Sequence, residues 1–311
     1  MKKSLKLLLF FIIVFLVADR FVAFSLRKID EKVKTGQSVG KVNHFLSVKD
    51  SLDVLVFGSS RANHHVDNIS LSKSSYNIGI DGTKIGNSAI LISTLRKKGQ
   101  NILVHVDYNT IYDSSYTGDD MLGLKNLIIR NEIIKAKIRQ FFPEEINLSK
   151  VSNSYVYNGK VLGMIKNYFS PNYDYRNYNG YDPLYPSDEQ ISIFEKLVKE
   201  NELPVFTDDE LDISSPSSKF DGFVDIIIDI CKNNNSNLIF FTSPNLKVID
   251  SKYRNATKSY FDSKGVKYFD FIDLVDATDI SYWKDFTHMS HKGALKLTKE
   301  LKTHLVFDNL D

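Results

Sequence analysis

The 311-residue sequence has a single cysteine, almost no net charge (+2, from 40 Lys and Arg against 38 Asp and Glu) and no internal repeat. One cysteine excludes an intramolecular disulfide and any zinc site built from several cysteines. Cys231, set in an apolar helical stretch, reads as a small buried hydrophobe. So small a charge excess excludes the electrostatic footprint of a strongly basic nucleic-acid binder. With 42% hydrophobic and 25% charged residues, disorder and collagen-like repetition are excluded too, and the length allows one large or two small domains. The positive excess is local: residues 1–20 carry +3 and the remainder −1.

Those first residues read as an address. A basic start is followed by an unbroken apolar run, Leu7 to Ala18; Asp19 and Arg20 interrupt it and Phe21 to Leu26 resumes it. This is the layout of an export signal. Cleavage would require small residues before the cut, which Ala23-Phe24-Ser25 supplies poorly, so an uncleaved anchor over residues 1–26 is favoured over secretion after cleavage or a buried core helix. Positive charge at the start predicts a cytoplasmic amino terminus and a periplasmic, or otherwise extracytoplasmic, bulk. Residues 27–50, polar and charged, are expected to form a stalk. A lone cysteine suits an oxidising compartment, since it cannot mispair within its chain.

From residue 51 the pattern is α/β. Short apolar runs at Asp53–Gly58, Ser75–Ile80, Ile102–Asp107, Leu238–Thr242 and Val266–Phe271 read as buried strands. Amphipathic stretches at Ile85–Lys98, Phe220–Asn233, Ser251–Lys264 and His291–Leu305 read as helices. Strands alternating with helices predict a three-layer parallel sheet. The alternation breaks between about 113 and 219, an expected insertion with helices near Leu124–Phe141 and Asp188–Asn201. Eight tyrosines between Tyr155 and Tyr185 suit contact with a sugar or the packing of a small subdomain.

Two clusters carry chemistry. The first strand ends in Gly58-Ser59-Ser60-Arg61. A serine there faces the crevice at the strand carboxyl ends and sits at a helix amino terminus, as either a nucleophile or an N-cap. Near the other end is Trp283-Lys-Asp285-Phe-Thr-His288-Met-Ser-His291. An Asp three residues before a His can hold one imidazole nitrogen and leave the other as a base, which a serine hydroxyl requires. The same residues, with His65 and Asp107, also have ligand-like spacing for a metal.

Taken together, Gly-x-Ser after the first strand and Asp-x-x-His before the last helix resemble the SGNH (GDSL-type) hydrolase superfamily. Tyr76-Asn-Ile-Gly-Ile-Asp81-Gly82-Thr is similar to that superfamily's glycine block, with Gly82 at the functional glycine. Ile102-Leu-Val-His-Val-Asp107-Tyr108-Asn109 is similar to its third block, with Asn109 at the asparagine. The resemblance covers roughly residues 50–112 and 237–305. It departs from the common pattern at Ser59, where an Asp is usual, and at Asp107-Tyr108-Asn109 in place of Gly-x-Asn-Asp. Gly-Ser-Ser is instead similar to the membrane-anchored branch that includes the teichoic acid D-alanylation and alginate O-acetylation proteins.

The resemblance implies a flavodoxin-like 2-1-3-4-5 sheet on which the loops after strands one, two and three meet. It also implies a Ser60, His288, Asp285 triad and an oxyanion site from the Ser60 and Gly82 N–H groups and the Asn109 amide. Ser59 is a second nucleophile candidate, which the motif disfavours. Arg61, His65, Asp107 and Tyr181 are candidate substrate contacts; His64 lines the pocket or is structural, and Asp81 is a turn residue or a functional one. The expected activity is O-acyl transfer, chiefly O-acetyl, or ester hydrolysis on a cell-envelope or secreted glycan. It requires no cofactor and would act beside a multispanning membrane acyltransferase. The alternatives are a catalytically silent glycan-binding accessory of such an enzyme, and a metal-dependent phosphoesterase.

Overall fold

The computed structural model describes residues 2–200, 203–206 and 212–306, which fall into two compact units. The first comprises residues 2–46 and 121–175. Its leading element is helix α1 (Lys2–Asp30), whose most apolar 18-residue window has a mean hydropathy of 2.6 and which is long and apolar enough to cross a membrane. From Leu5 to Val17 its large apolar side chains are exposed.

Residues 27–46, expected to be stalk, are folded into this unit. Val33, Val39, Val42 and Phe45 are buried, and Leu26 and Val39 form a core with Val156, Tyr157 and Met164. Polarity misled here because the polar groups satisfy one another. Fully buried Asp30 accepts from Asn43 Nδ2 (3.2 Å), Asn126 Nδ2 (3.2 Å) and Arg130 Nη2 (3.1 Å), and Arg130 also donates to Asn43 Oδ1. Buried charge is tolerated when paired and hydrogen-bonded in this way. The expected helix at Leu124–Phe141 is divided into a 3-10 segment, Asp119–Leu127, and a helix, Glu132–Phe141. Asn131 caps the latter by accepting from the Ile133 and Ile134 amides (3.1 Å each).

The second unit, residues 47–120 and 176–306, is α/β with a parallel sheet. Its strands are β1 (Val54–Phe57), β2 (Ser75–Asn77), β3 (Asn101–His105), β4 (Asn237–Thr242) and β5 (Lys267–Asp270), side by side in the order 2-1-3-4-5. Val54 pairs with Ser75 on one side and Asn101 on the other, and Ile239 pairs with Lys267. Strands β1 and β3, covered on both faces, are buried throughout, which is why they read as unbroken apolar runs. A separate parallel pair joins Val205–Phe206 to Val248–Ile249.

Helices Ile85–Ile92, Ser218–Asn233, Ser251–Ser263 and His291–Lys302 lie within the stretches read as helical, apart from a slightly earlier start at Ser218. The first stops six residues short of Lys98 because Asp50 Oδ1 takes the Arg96 and Lys97 amides (2.9 and 3.3 Å) out of the helical pattern. Helix Asp188–Glu200 is also present; Asn201, its expected end, lies outside the described residues. The segment read as one insertion is divided between the units: Tyr155 to Tyr175 belong to the first, and Tyr178, Tyr181 and Tyr185 to the second.

Candidate active site

The site assembles at the carboxyl ends of the strands of the second unit. After β1 the chain turns at Gly58, whose φ of +142° favours glycine and where a Cβ would meet His105 Cβ at 2.8 Å and Ala62 Cβ at 2.9 Å. Ser59 is the N-cap residue of the helix Ser60–His65, and Ser60 is its first residue. The Ser60 N–H therefore has no intrahelical acceptor.

Ser60 Oγ lies 2.9 Å from His288 Nε2, across 228 residues of sequence. On the other side of the ring, His288 Nδ1 is 3.0 Å from Asp285 Oδ2 and 3.2 Å from Oδ1. Asp285 Oδ1 also accepts from the Thr287 amide (2.8 Å), the Thr287 hydroxyl (3.0 Å) and the His288 amide (2.9 Å). Partial burial works to raise the Asp285 carboxyl, but the bonds from the His288 ring and these amides outweigh it and hold the group well below the usual carboxylate range. The loop is closed by a bridge between Trp283 and Met289 and by Lys284 N–H donating to His288 O (2.8 Å). An ionised carboxylate thus fixes Nδ1 as the protonated nitrogen and leaves Nε2 to accept from Ser60.

His65 packs its ring edge-on against that of His288 at 6.0 Å, on the buried side of the site. It is fully buried, its Nε2 accepts from the Met289 amide (3.0 Å), and its Nδ1 donates to Ser243 Oγ (2.9 Å). Ser243 in turn donates to His105 Nε2 (3.1 Å). Burial first, and the Arg61 charge second, push both histidines well below the ordinary imidazole value. They are neutral links that fix the backbone next to His288. With both His65 nitrogens engaged, this residue cannot join Asp285 and His288 around a metal, and among the described residues no group of three or more His, Cys, Asp or Glu could hold one.

Arg61 and Asp107 form an ion pair, and Ser59 Oγ lies 3.4 Å from Asp107 Oδ2. Both charged side chains are mostly buried, so each serves to hold the other. The glycine loop is docked beside Gly58 by Ile80 N–H on Gly58 O (3.0 Å), and Gly82, at φ +73°, is exposed with no acceptor for its N–H among the described residues. Asn109 is not drawn into the cluster. It is exposed on the helix Tyr108–Tyr112, its Oδ1 accepts from Thr110 N–H (2.9 Å), and no hydrogen bond among the described residues joins it to Ser60 or His288.

Three neighbours extend the site. His64 Nδ1 donates to Asp182 O (2.6 Å), its Nε2 lies 3.3 Å from Asp81 Oδ1, and its ring meets that of His288 edge-on at 5.7 Å. Burial opposes charge on His64, yet Asp81 and the Asp182 carbonyl prevail and raise it above the ordinary imidazole value. Tyr181 Oη lies 2.9 Å from His291 Nδ1, and Tyr185 leans over the His291 ring at 5.0 Å. The run Tyr181–Leu184 is stitched down by Asp182 N–H on Asn63 O (3.2 Å) and His291 N–H on Leu184 O (2.8 Å). Asp182 gave no sequence signal, because a backbone carbonyl makes its contact. No protein-family model matches the chain, and no curated protein matches it at a significant level.

Proposed function

We propose that this protein is a membrane-anchored serine acyltransferase or esterase of the SGNH type, with Ser60, His288 and Asp285 as its triad. The observation that carries the reading is the unbroken link from Ser60 Oγ through the His288 ring to Asp285. Three residue types needed for nucleophilic attack on a carbonyl meet at hydrogen-bond distance, at the strand ends where open α/β sheets bind ligands.

In the proposed reaction Ser60 Oγ attacks the acyl carbonyl as His288 Nε2 takes its proton. Asp285 stabilises the resulting imidazolium. The tetrahedral oxyanion is met by the Ser60 and Gly82 N–H groups, each such donor contributing about 2.7–4 kcal/mol. Collapse breaks the ester C–O bond, and the departing alkoxide takes the proton from His288. A carbohydrate hydroxyl or water then gives its proton to His288, attacks the acyl-enzyme and releases Ser60. Asn109 is left without a role in this step. The strand order 2-1-3-4-5 supports a flavodoxin-like architecture, and the basic residues ahead of the apolar run support an amino terminus inside and the α/β unit outside. An O-acetyl ester on an envelope or secreted glycan is the proposed substrate, with a multispanning acyltransferase as partner.

Intact-protein mass spectrometry after incubation with an acetyl ester tests this. One acetyl adduct on Ser60, absent from Ser60→Ala, is expected, as is labelling of Ser60 by a fluorophosphonate. Equal labelling of the wild type and Ser60→Ala, or none of either, would favour a silent accessory role.

A further inference from the structure

Within the first unit, the helix Val161–Phe169 carries a broad apolar stripe, of which only one edge is packed. Val161 and Met164 pack with Leu26 and Ile29 near the end of α1. On the adjoining face Leu162, Ile165 and Phe169 line up together, with Leu162 84% and Phe169 74% exposed. The helix Pro143–Val151 likewise exposes Leu148 and Val151. A helix against water keeps its outer face polar, whereas here large apolar side chains share the exposed surface with Glu144, Asn147, Lys150 and Lys166.

The same region is tied to the apolar helix. Asp19 of α1, 6% exposed, accepts from Ser152 Oγ (2.6 Å), Asn153 N–H (2.7 Å) and Ser154 N–H (3.1 Å). Arg20 donates to Lys150 O (3.2 Å) and Val151 O (3.4 Å). The apolar stretch Leu7–Leu26 measures about 30 Å as a helix, the thickness of a bilayer's hydrocarbon core. Asp19 then lies about 10 Å inside the Leu26 end. The segment that satisfies Asp19 therefore stands beside the last stretch of the span, at the depth of about 5–10 Å to which interfacial helices sink.

We propose that residues 143–169 are a membrane-seated platform, with Leu148, Val151, Leu162, Ile165 and Phe169 covered by lipid acyl chains of the leaflet at the Leu26 end of α1. This rests on α1 crossing the membrane. It makes Asp19 and Arg20 the attachment point of the platform, where the sequence reads only an interruption of the apolar run.

Nitroxide labels on the full chain in phosphatidylethanolamine–phosphatidylglycerol vesicles test the proposal. Leu162→Cys and Phe169→Cys are compared with Phe15→Cys in α1 and Lys299→Cys on an exposed helix face. Native Cys231 is buried, its thiol pushed up to about 12, and stays unlabelled. Labels at 162 and 169 are expected to match the one at 15, colliding several-fold more often with oxygen than with a water-soluble nickel chelate, while 299 shows the reverse. Nickel access at 162 and 169 with a lipid-facing 15 overturns the platform alone. Nickel access at 15 as well removes the anchor and the platform together. Protection of 162 and 169 from both reagents means that protein covers the face, which also overturns the proposal.

Discussion

Asn77 is fully buried at the end of β2, where its Nδ2 donates to Ala62 O (2.7 Å) and Val66 O (2.9 Å) and its Oδ1 accepts from Gly79 N–H (2.9 Å). It thereby ties the helix that begins with Ser60 to the glycine loop. Asn77→Ala leaves these backbone groups unpaired, and denaturant unfolding should show a loss of about 1–3 kcal/mol. Asp285→Asn should keep the fold, disturb the His288 tautomer and lower kcat roughly 10³–10⁴-fold with little change in KM, as read from acetyl-ester turnover. An unchanged kcat would remove Asp285 from the mechanism. Ser60, Asp285 and His288 were legible because their spacing is local: a serine after a strand and an Asp three residues before a His. Asn77, Ser243 and the Asp182 carbonyl were not, because their partners come from distant parts of the chain. His65 misled for a related reason, since adjacency to Ser60 and His64 does not show that its ring is fully buried against His288 with both nitrogens engaged by Ser243 and the Met289 amide.

At the scale of elements, strand positions followed from apolar runs bounded by glycine or polar residues. Element ends did not, because single side chains such as Asp50 and Asn131 decide them. The turn from β1 into the Ser60 helix has no slack. Gly58→Ala places a Cβ within 2.9 Å of two others at a left-handed φ, and should cost roughly 1–3 kcal/mol by chemical unfolding and slow fluorophosphonate labelling of Ser60. The polarity of residues 27–46 suggested solvent, yet Asp30, Asn43, Asn126 and Arg130 bury one another. Composition cannot show that a polar segment's partners lie about a hundred residues away.

For the whole molecule, stability should depend on acid through His65 and His105. Both are neutral when folded but bind protons near pH 6.5 when unfolded. The unfolded state therefore takes up more protons below that pH, and stability falls by up to about 1.4 kcal/mol per pH unit for each. His64, raised in the folded state, contributes stability that is lost only above 6.5, so the acid limb is not its doing. Thermal unfolding at pH 7.5 and 5.5 should show the fall, reduced in His105→Gln; a flat profile contradicts two buried neutral imidazoles. The chain passes between the two units three times, and each is built from separate stretches. That interleaving sets a timetable for biogenesis. In the proposed anchored state Asp19 enters the membrane with α1, but Ser152 follows 133 residues later. At about 5–20 residues per second this leaves roughly 7–27 s in which the carboxyl lacks its partners. A membrane helix that begins life incomplete is exposed to the quality-control proteases of the bilayer, so a slowed synthesis of residues 120–154 should lower the yield of the protein without altering a single contact in its finished form.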